Sequence, residues 1–279
     1  MRTRAALLGG VTALLLAVAG GGAWWELAPV PEPADAADPA PPLPIPPVPP
    51  RIAQGGEYES CLAMLSTDPQ GAQAVAQTWL NAGGGDGAEH CLALAEVELG
   101  DPAGGATLLE KIGGGTQGTA VARAAMYGQA TQAWLMAGDA SRAFGAATLA
   151  LSLSPDDADL LTDRAVAAGS LQLWQDAVDD LTHALQVDPQ RPDAMVLRGS
   201  AWRHLGKLDL AADDIARALT MDPENAEAYL ERGIIRQREH DDAGARADWE
   251  HAMALSPDST TADLAQQNLA LLEAGPERR

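Results

Sequence analysis

The chain has 279 residues, of which 47% are hydrophobic and only 4% are aromatic. Many of the apolar residues are alanine, the strongest helix former, and the residues favoured in strands are too few for a large sheet, so the composition predicts an all-α fold. The formal net charge of −21 disfavours binding to nucleic acid or to anionic lipid, and it indicates colloidal stability more strongly than attraction of a basic partner.

Residues 1–25 carry the pattern of an export signal. A basic head at residues 2–4 precedes an uncharged apolar run over residues 5–25. Small residues at 17–19 or 21–23 would permit cleavage by a signal peptidase. An uncut run would span a bilayer instead, with Trp24 and Trp25 at the interface. Both alternatives predict an exported chain, either soluble in the periplasm or tethered to the inner membrane by residues 5–25.

Residues 26–55 are predicted to form a disordered, proline-rich linker. Residues 29–50 contain 11 of the 19 prolines, and proline lacks the backbone donor that helices and sheets need. Polyproline II geometry rises about 3.1 Å per residue, so this stretch would reach roughly 70 Å when extended. The linker is therefore expected to act as a stalk.

Residues 56–115 are predicted to form two degenerate helical hairpins, separated from their neighbours by glycine-rich breaks. The pairs Asp68-Pro69 and Asp101-Pro102 recur at nearly the interval found downstream and loosely extend that period. Cys61 and Cys91 are the only two cysteines, and each opens a Cys-Leu-Ala run. Equivalent helices of stacked hairpins are neighbours, so outside the cytoplasm a Cys61–Cys91 disulfide is expected; the alternative is a pair of buried thiols.

The C-terminal half repeats with a strict 34-residue period. The period is marked by four prolines, each preceded by Asp or Ser: Pro155, Pro189, Pro223 and Pro257. Helices usually end before a proline, and Gly138 and Gly206 each fit a tight turn between two helices. The period therefore predicts helical hairpins over residues 116–259, with units at about 124–157, 158–191, 192–225 and 226–259. An amphipathic helix over residues 260–274 would cap the stack.

This pattern resembles the tetratricopeptide repeat family. The family's signature residues are matched in one unit by Met195, Gly199, Trp202, Ala211, Ile215, Ala218 and Pro223. The next unit matches most of them but has Arg236 where an aromatic residue is usual, and the first two units are more degenerate. The resemblance implies a right-handed superhelical solenoid of helix-turn-helix repeats.

The residues that could carry chemistry form no recognisable catalytic or metal-binding motif. The five histidines lack metal-ligand spacing, and neither a Gly-x-Ser-x-Gly nor a phosphate-binding loop occurs. Asp180, Asp214 and Asp248 recur at the period of the prolines, as do Arg164, Arg198 and Arg232. Repetition at the structural period predicts ion pairs between helices. We therefore expect no enzyme, no metal and no cofactor.

The resemblance implies that the first helix of each hairpin lines a concave groove for a peptide or protein segment. Positions in the family's groove register are Gln132, Leu135, Thr162, Val166, Val196, Ser200, Arg203, Leu230, Ile234 and Gln237. Relatives that grip acidic chaperone tails place Lys and Asn in this groove, so the residues at these positions disfavour such a clamp. The alternative is that several of these side chains pack against the next hairpin.

The sequence thus predicts a non-catalytic interaction scaffold in the bacterial cell envelope, whose partner is another protein or peptide. Two alternatives remain. The chain could be a structural subunit that self-associates through the ends of its solenoid. It could instead be an enzyme or carrier with a site in residues 56–115, which a pocket with converging polar groups would support.

Overall fold

The computed structural model describes residues 51–115 and 118–274, and within these ranges the chain forms thirteen α-helices and no strand. The export signal and most of the proline-rich linker lie outside the described residues. In chain order the helices are α1 (Gly56–Met64), α2 (Pro69–Asn81), α3 (Gly85–Glu98), α4 (Pro102–Gly114), α5 (Ala120–Met136), α6 (Ala140–Leu153), α7 (Ala158–Ser170), α8 (Trp174–Val187), α9 (Pro192–His204), α10 (Leu208–Met221), α11 (Ala226–Arg238), α12 (Asp242–Leu255) and α13 (Thr260–Ala274).

The helices pair into six antiparallel hairpins, α1/α2 through α11/α12, and α13 packs on the last of them. From α5 onward, the first helix of each hairpin also contacts the first helix of the next, which places α5, α7, α9, α11 and α13 side by side. The fold is therefore the all-α solenoid that the period predicts.

The turns inside the hairpins follow helix-capping chemistry. Gly138 and Gly206 adopt φ angles of 74° and 73°, the left-handed geometry that ends a helix and that glycine adopts at little cost. Asp139 then caps α6, because its side chain accepts a hydrogen bond from the Arg142 backbone N–H. The prediction of tight turns at these two glycines is confirmed.

The two upstream Asp-Pro pairs stand at a different place in the hairpin from the downstream pairs. Downstream, Asp188 and Asp222 follow the second helix of a hairpin. Asp68 and Asp101 instead cap α2 and α4, each followed by a proline at the first helical position. Proline fits that position because its missing N–H would have no partner there. These pairs therefore mark the turn within a hairpin.

The core is built from matched small and large residues. Gly199 on α9 faces Ile215 on α10, and a Cβ added at Gly199 would lie 2.9 Å from Ile215 Cδ1. In the next hairpin Gly233 faces Trp249, which is fully buried. The small residue lets the two helices approach closely, and the large one fills the space between them.

Across residues 51–115 and 118–274, no helix combines the length and the hydropathy that crossing a bilayer requires.

Candidate binding groove

The recurring Arg and Asp residues form ion pairs within hairpins, as predicted. Arg198 on α9 donates from Nε and Nη2 to the two carboxylate oxygens of Asp214 on α10, at 2.8 and 2.7 Å. Arg164 with Asp180, and Arg232 with Asp248, repeat this bidentate geometry. The aspartates are almost fully buried, so these residues hold helices together and are not available as catalytic acids.

The candidate site is the surface formed by the first helices α5, α7, α9, α11 and α13, which we call the groove. Polar side chains link these helices across it. Gln132 Nε2 on α5 donates to Asp163 Oδ2 on α7 at 3.2 Å. Ser200 Oγ and Arg203 Nε, both on α9, donate to the Glu231 carboxylate on α11 at 3.0 and 2.7 Å. These bonds fix the spacing between neighbouring repeats.

The ten groove positions taken from the sequence divide into two sets. Four are buried, with exposed fractions of 4–7%: Thr162, Val196, Arg203 and Leu230. These four fit the alternative in which the side chains pack against the next hairpin. The other six are half-buried or exposed: Gln132, Leu135, Val166, Ser200, Ile234 and Gln237.

Two cavities open along the groove. The first, of about 290 Å³, lies between α7, α8 and α9 and is lined by apolar side chains that include Val166, Trp174 and Leu197, with Ser200 at its α9 side. The second, of about 230 Å³, lies between α9, α11 and α13 and is lined by Ser200, Glu227, Leu264 and their neighbours. Ser200 lines both, so the two cavities are adjacent.

A row of carboxylates along the groove escaped the sequence analysis. Asp159, Asp193 and Glu227 occupy the second position of three successive repeats, in the first turns of α7, α9 and α11. All three are exposed. Arg191 lies between the first two, with 2.6 Å from its Nη1 to Asp159 Oδ1 and 3.1 Å from its Nη2 to Asp193 Oδ2. The 34-residue period itself was the signal that could have revealed this row.

Asp163 stands next to this row in a poorly compensated environment. Burial raises the pKa of its carboxyl group from 3.8 to about 6, the Gln132 hydrogen bond opposes that shift, and the charges of Asp159 and Asp157 add to it. Arg191 lowers the pKa only weakly. Asp163 is therefore a half-buried carboxylate that faces other negative charges.

The alternative of an enzyme site in residues 56–115 was tied to a pocket with converging polar groups. A cavity of about 610 Å³ does lie between α1 and α2. Its lining is mostly apolar or small, and its polar side chains are Glu57, Ser60 and Thr78. The Thr78 hydroxyl donates to the Ala74 carbonyl of its own helix. This lining contains no histidine, cysteine or lysine that could act as a base or nucleophile beside them.

His90 and the two cysteines, which also lie in the described ranges, have structural partners. No group of three or more His, Cys, Asp and Glu side chains there could hold a metal ion. His90 is buried, with its Nδ1 2.5 Å from the Tyr58 hydroxyl and its Nε2 2.7 Å from Gln129 Oε1. Beside it, the structure joins Cys61 on α1 to Cys91 on α3 as a disulfide, with Cα atoms 6.2 Å apart. This corner of the stack therefore connects α1, α3 and α5.

The comparison with family models decides the identity of the repeats. The tetratricopeptide repeat model matches residues 162–226 and 205–260. Residues 162–260 belong to the tetratricopeptide repeat family. A search of the curated proteins gives no match. Proteins built from tetratricopeptide repeats generally bind protein or peptide partners and are generally non-catalytic.

Solved structures support the same fold at low sequence identity. TTC0263, a thermophilic tetratricopeptide repeat protein from Thermus thermophilus, is 16% identical over 67% of this chain and 98% of its own, with a TM-score of 0.53. MamA is 15% identical over 60% of this chain and 95% of its own, with a TM-score of 0.51. A chain of the APC/C hetero-tetramer Cut9–Hcn1 reaches a TM-score of 0.58 at 16% identity, over 76% of this chain and 42% of its own. At this identity the likeness concerns the tetratricopeptide fold alone.

Proposed function

We propose that the chain is a non-catalytic scaffold that binds a segment of a partner protein in the groove, and that it does so in the bacterial cell envelope. The observation that carries groove binding is the pair of adjacent cavities that share Ser200. Apolar cavities beside polar groups are the common form of a binding site, and an extended segment can insert side chains into successive cavities. The envelope location rests on the sequence pattern of residues 1–25.

The test fills the first cavity without disturbing the core. Gly169 lines that cavity near the end of α7. A Cβ at this position would meet only Trp174 Cζ3, at the ordinary contact distance of 3.5 Å. Gly169→Leu therefore places an isobutyl group in the cavity. Gly145→Leu is the matched control, because Gly145 is an exposed residue of α6 whose Cβ would meet nothing within 4 Å.

Each full-length variant, tagged at its C-terminus, is used to capture proteins from the envelope fraction of the producing cells. The proposal expects a partner that the parent chain and Gly145→Leu both retain and that Gly169→Leu loses at least about tenfold, because a blocked cavity excludes the anchoring side chain. Equal retention by all three chains would contradict groove binding. Recovery of untagged copies of the chain alone would favour self-association.

A further inference from the structure

We propose that the segment bound in the groove is basic: an extended stretch of a partner protein whose Lys or Arg side chains lie against Asp159, Asp163 and Glu227 while its apolar side chains enter the two cavities. This inference rests on the proposed function and names the chemical class of the partner.

The first step is the balance of charge at one edge of the groove, the edge formed by the N-terminal halves of α7, α9 and α11. Five carboxylates lie on the first helices α7, α9 and α11: Asp159, Asp163, Asp193, Glu227 and Glu231. Among the described residues, Arg191 pairs with Asp159 and Asp193, and Arg203 pairs with Glu231. Asp163 and Glu227 have no described cation within ion-pair distance. The edge therefore carries more negative than positive charge.

At the opposite edge, α11 ends in the exposed Arg238, while burial and the charge of Arg203 lower the pKa of His204 at the end of α9. Arg238 is eleven residues along the helix from Glu227, which is about 16 Å at a rise of 1.5 Å per residue. At that distance, exposed charges in physiological salt are largely screened from each other. The acidic edge is therefore not neutralised by the basic one.

The second step is the class of ligand that this edge fits. An acidic peptide would meet like charges here. A bound metal ion is disfavoured, since the described residues contain no carboxylate cluster that could hold one. Lysine and arginine carry their charge on long flexible stems, which can reach separate carboxylates from one backbone. A cation beside Asp163 would also compensate a half-buried carboxylate to which, among residues 51–115 and 118–274, Gln132 alone donates a hydrogen bond.

The third step is the position of the apolar cavities relative to the carboxylates. Val166 follows Asp163 by three residues on the same face of α7 and lines the first cavity. Glu227 itself lines the second cavity, together with Leu264. Each carboxylate without a cation therefore stands next to an apolar opening. A segment in which basic and apolar residues are interspersed satisfies both features.

The probe is a labelled synthetic peptide of Lys, Leu and Ser, about twelve residues long. Five helices spaced about 9–10 Å apart span roughly 40 Å, and an extended chain rises about 3.3 Å per residue. Two control peptides are used: one has Glu in place of every Lys, and the other has Ser in place of every Leu. Binding to the full chain is measured by fluorescence anisotropy. We expect the basic-apolar peptide to bind at least about tenfold more tightly than either counterpart.

Peptide binding to two double variants of the chain separates recognition in the groove from general attraction by the negative net charge. Asp163→Asn/Glu227→Gln is expected to weaken binding of the basic-apolar peptide about tenfold. Asp179→Asn/Asp213→Asn removes the same charge from exposed residues of α8 and α10 and should change the affinity by less than about twofold. An equal loss in both double variants, or equal binding of the Lys and Glu peptides, overturns the inference.

The same variants distinguish this inference from the proposed function. A captured partner that is lost with Gly169→Leu but retained by Asp163→Asn/Glu227→Gln would leave groove binding standing and remove the basic class. A partner that both variants lose supports both statements.

Discussion

Asp163 lies midway along α7, where its carboxylate accepts a hydrogen bond from Gln132 and faces Asp157 and Asp159. Because burial raises the pKa of this group to about 6, the native state keeps a proton that the unfolded chain has released between about pH 4 and 6. Stability therefore falls as the pH rises through this window, and above it the ionised group imposes a constant cost.

We predict that Asp163→Asn stabilises the protein at neutral pH. The full pKa shift would correspond to about 3 kcal/mol, and solvent screening of a partly exposed group reduces the expected gain to about 1 kcal/mol at pH 7. At pH 4.5 the gain should shrink to about a third, because the native carboxyl is protonated there while the unfolded chain has already lost most of its proton. Urea unfolding at both pH values measures the effect.

The control for this prediction is Asp213→Asn, which removes an exposed carboxylate from α10 and should change the free energy of unfolding by less than about 0.5 kcal/mol. Destabilisation by Asp163→Asn at pH 7 would show that the carboxylate is compensated after all. A residue that lowers stability at neutral pH is more easily explained by a role in binding than by a role in folding.

For single residues, the sequence predicts where a side chain lies in the repeat better than it predicts how deeply that side chain is buried. The resemblance to the tetratricopeptide repeat family placed Val166 and Ser200 in the groove register, and both line the first cavity. The state of Asp163 depends on a donor in the preceding repeat, Gln132, and on how deeply the helix is buried. Thr162 and Arg203 share the register but are buried. Small rotations of each helix decide such burial, and periodicity does not specify them.

At the scale of the helices, the ion pair between Arg198 and Asp214 connects α9 to α10, and Arg198 Nη1 also donates to Thr182 Oγ1 of α8, at 3.2 Å. The Asp214 side chain is only 3% exposed. In the first repeat, Ala130 and Ala146 stand at the two equivalent positions, and both are buried. The repeat unit therefore folds with either an ion pair or two small apolar residues at this place.

This comparison predicts a non-additive pair of substitutions. Arg198→Ala should lower the free energy of unfolding by about 3 kcal/mol, because it leaves a buried carboxylate without its bidentate partner. Arg217, 3.7 Å from the same carboxylate, compensates only weakly because it is exposed. The double variant Arg198→Ala/Asp214→Ala should be more stable than Arg198→Ala alone by at least about 1 kcal/mol.

Chemical unfolding of the two single variants and the double variant measures this coupling. Additive losses would mean that the Asp214 carboxylate is solvated once Arg198 is removed. Peptide binding provides the control for function: at a temperature where every variant is folded, Arg198→Ala should bind the basic-apolar peptide as the parent chain does, because the ion pair lies between the two helices of a hairpin.

The elements themselves follow closely from the sequence where the period is strict. Proline after the second helix, and small residues such as Gly199 opposite large ones such as Ile215, mark the hairpins from α7 onward. The upstream Asp-Pro pairs stand at a different place from the downstream ones because the same dipeptide can end one helix or begin another. The dipeptide begins a helix when its proline takes the first helical position, where a backbone N–H would have no partner. It ends a helix when its proline follows the last turn.

At the scale of the whole stack, the described part of the chain is a one-dimensional array whose first hairpin has a neighbour on one side only. The helix α1 has just nine residues and contacts mainly α2 and α3. The Cys61–Cys91 disulfide ties it to α3 across a sequence separation of 30. Closing a loop of that length contributes roughly 3–4 kcal/mol in the chain-entropy model. In such an array a stabilising contact acts chiefly on its own repeat and on the next.

We therefore predict a local effect when the disulfide is removed. Cys61→Ala/Cys91→Ala should accelerate amide hydrogen exchange in α1 and α2 by at least about tenfold and leave protection in α9 to α12 unchanged, because those hairpins do not contact the first one. Thiol titration of the unfolded, unreduced parent chain gives the matching control, with no free thiol expected. Two free thiols would exclude the disulfide. Faster exchange throughout α1 to α13 would show that the stack unfolds as one cooperative unit, in which case the disulfide stabilises the binding groove as well as the first hairpin.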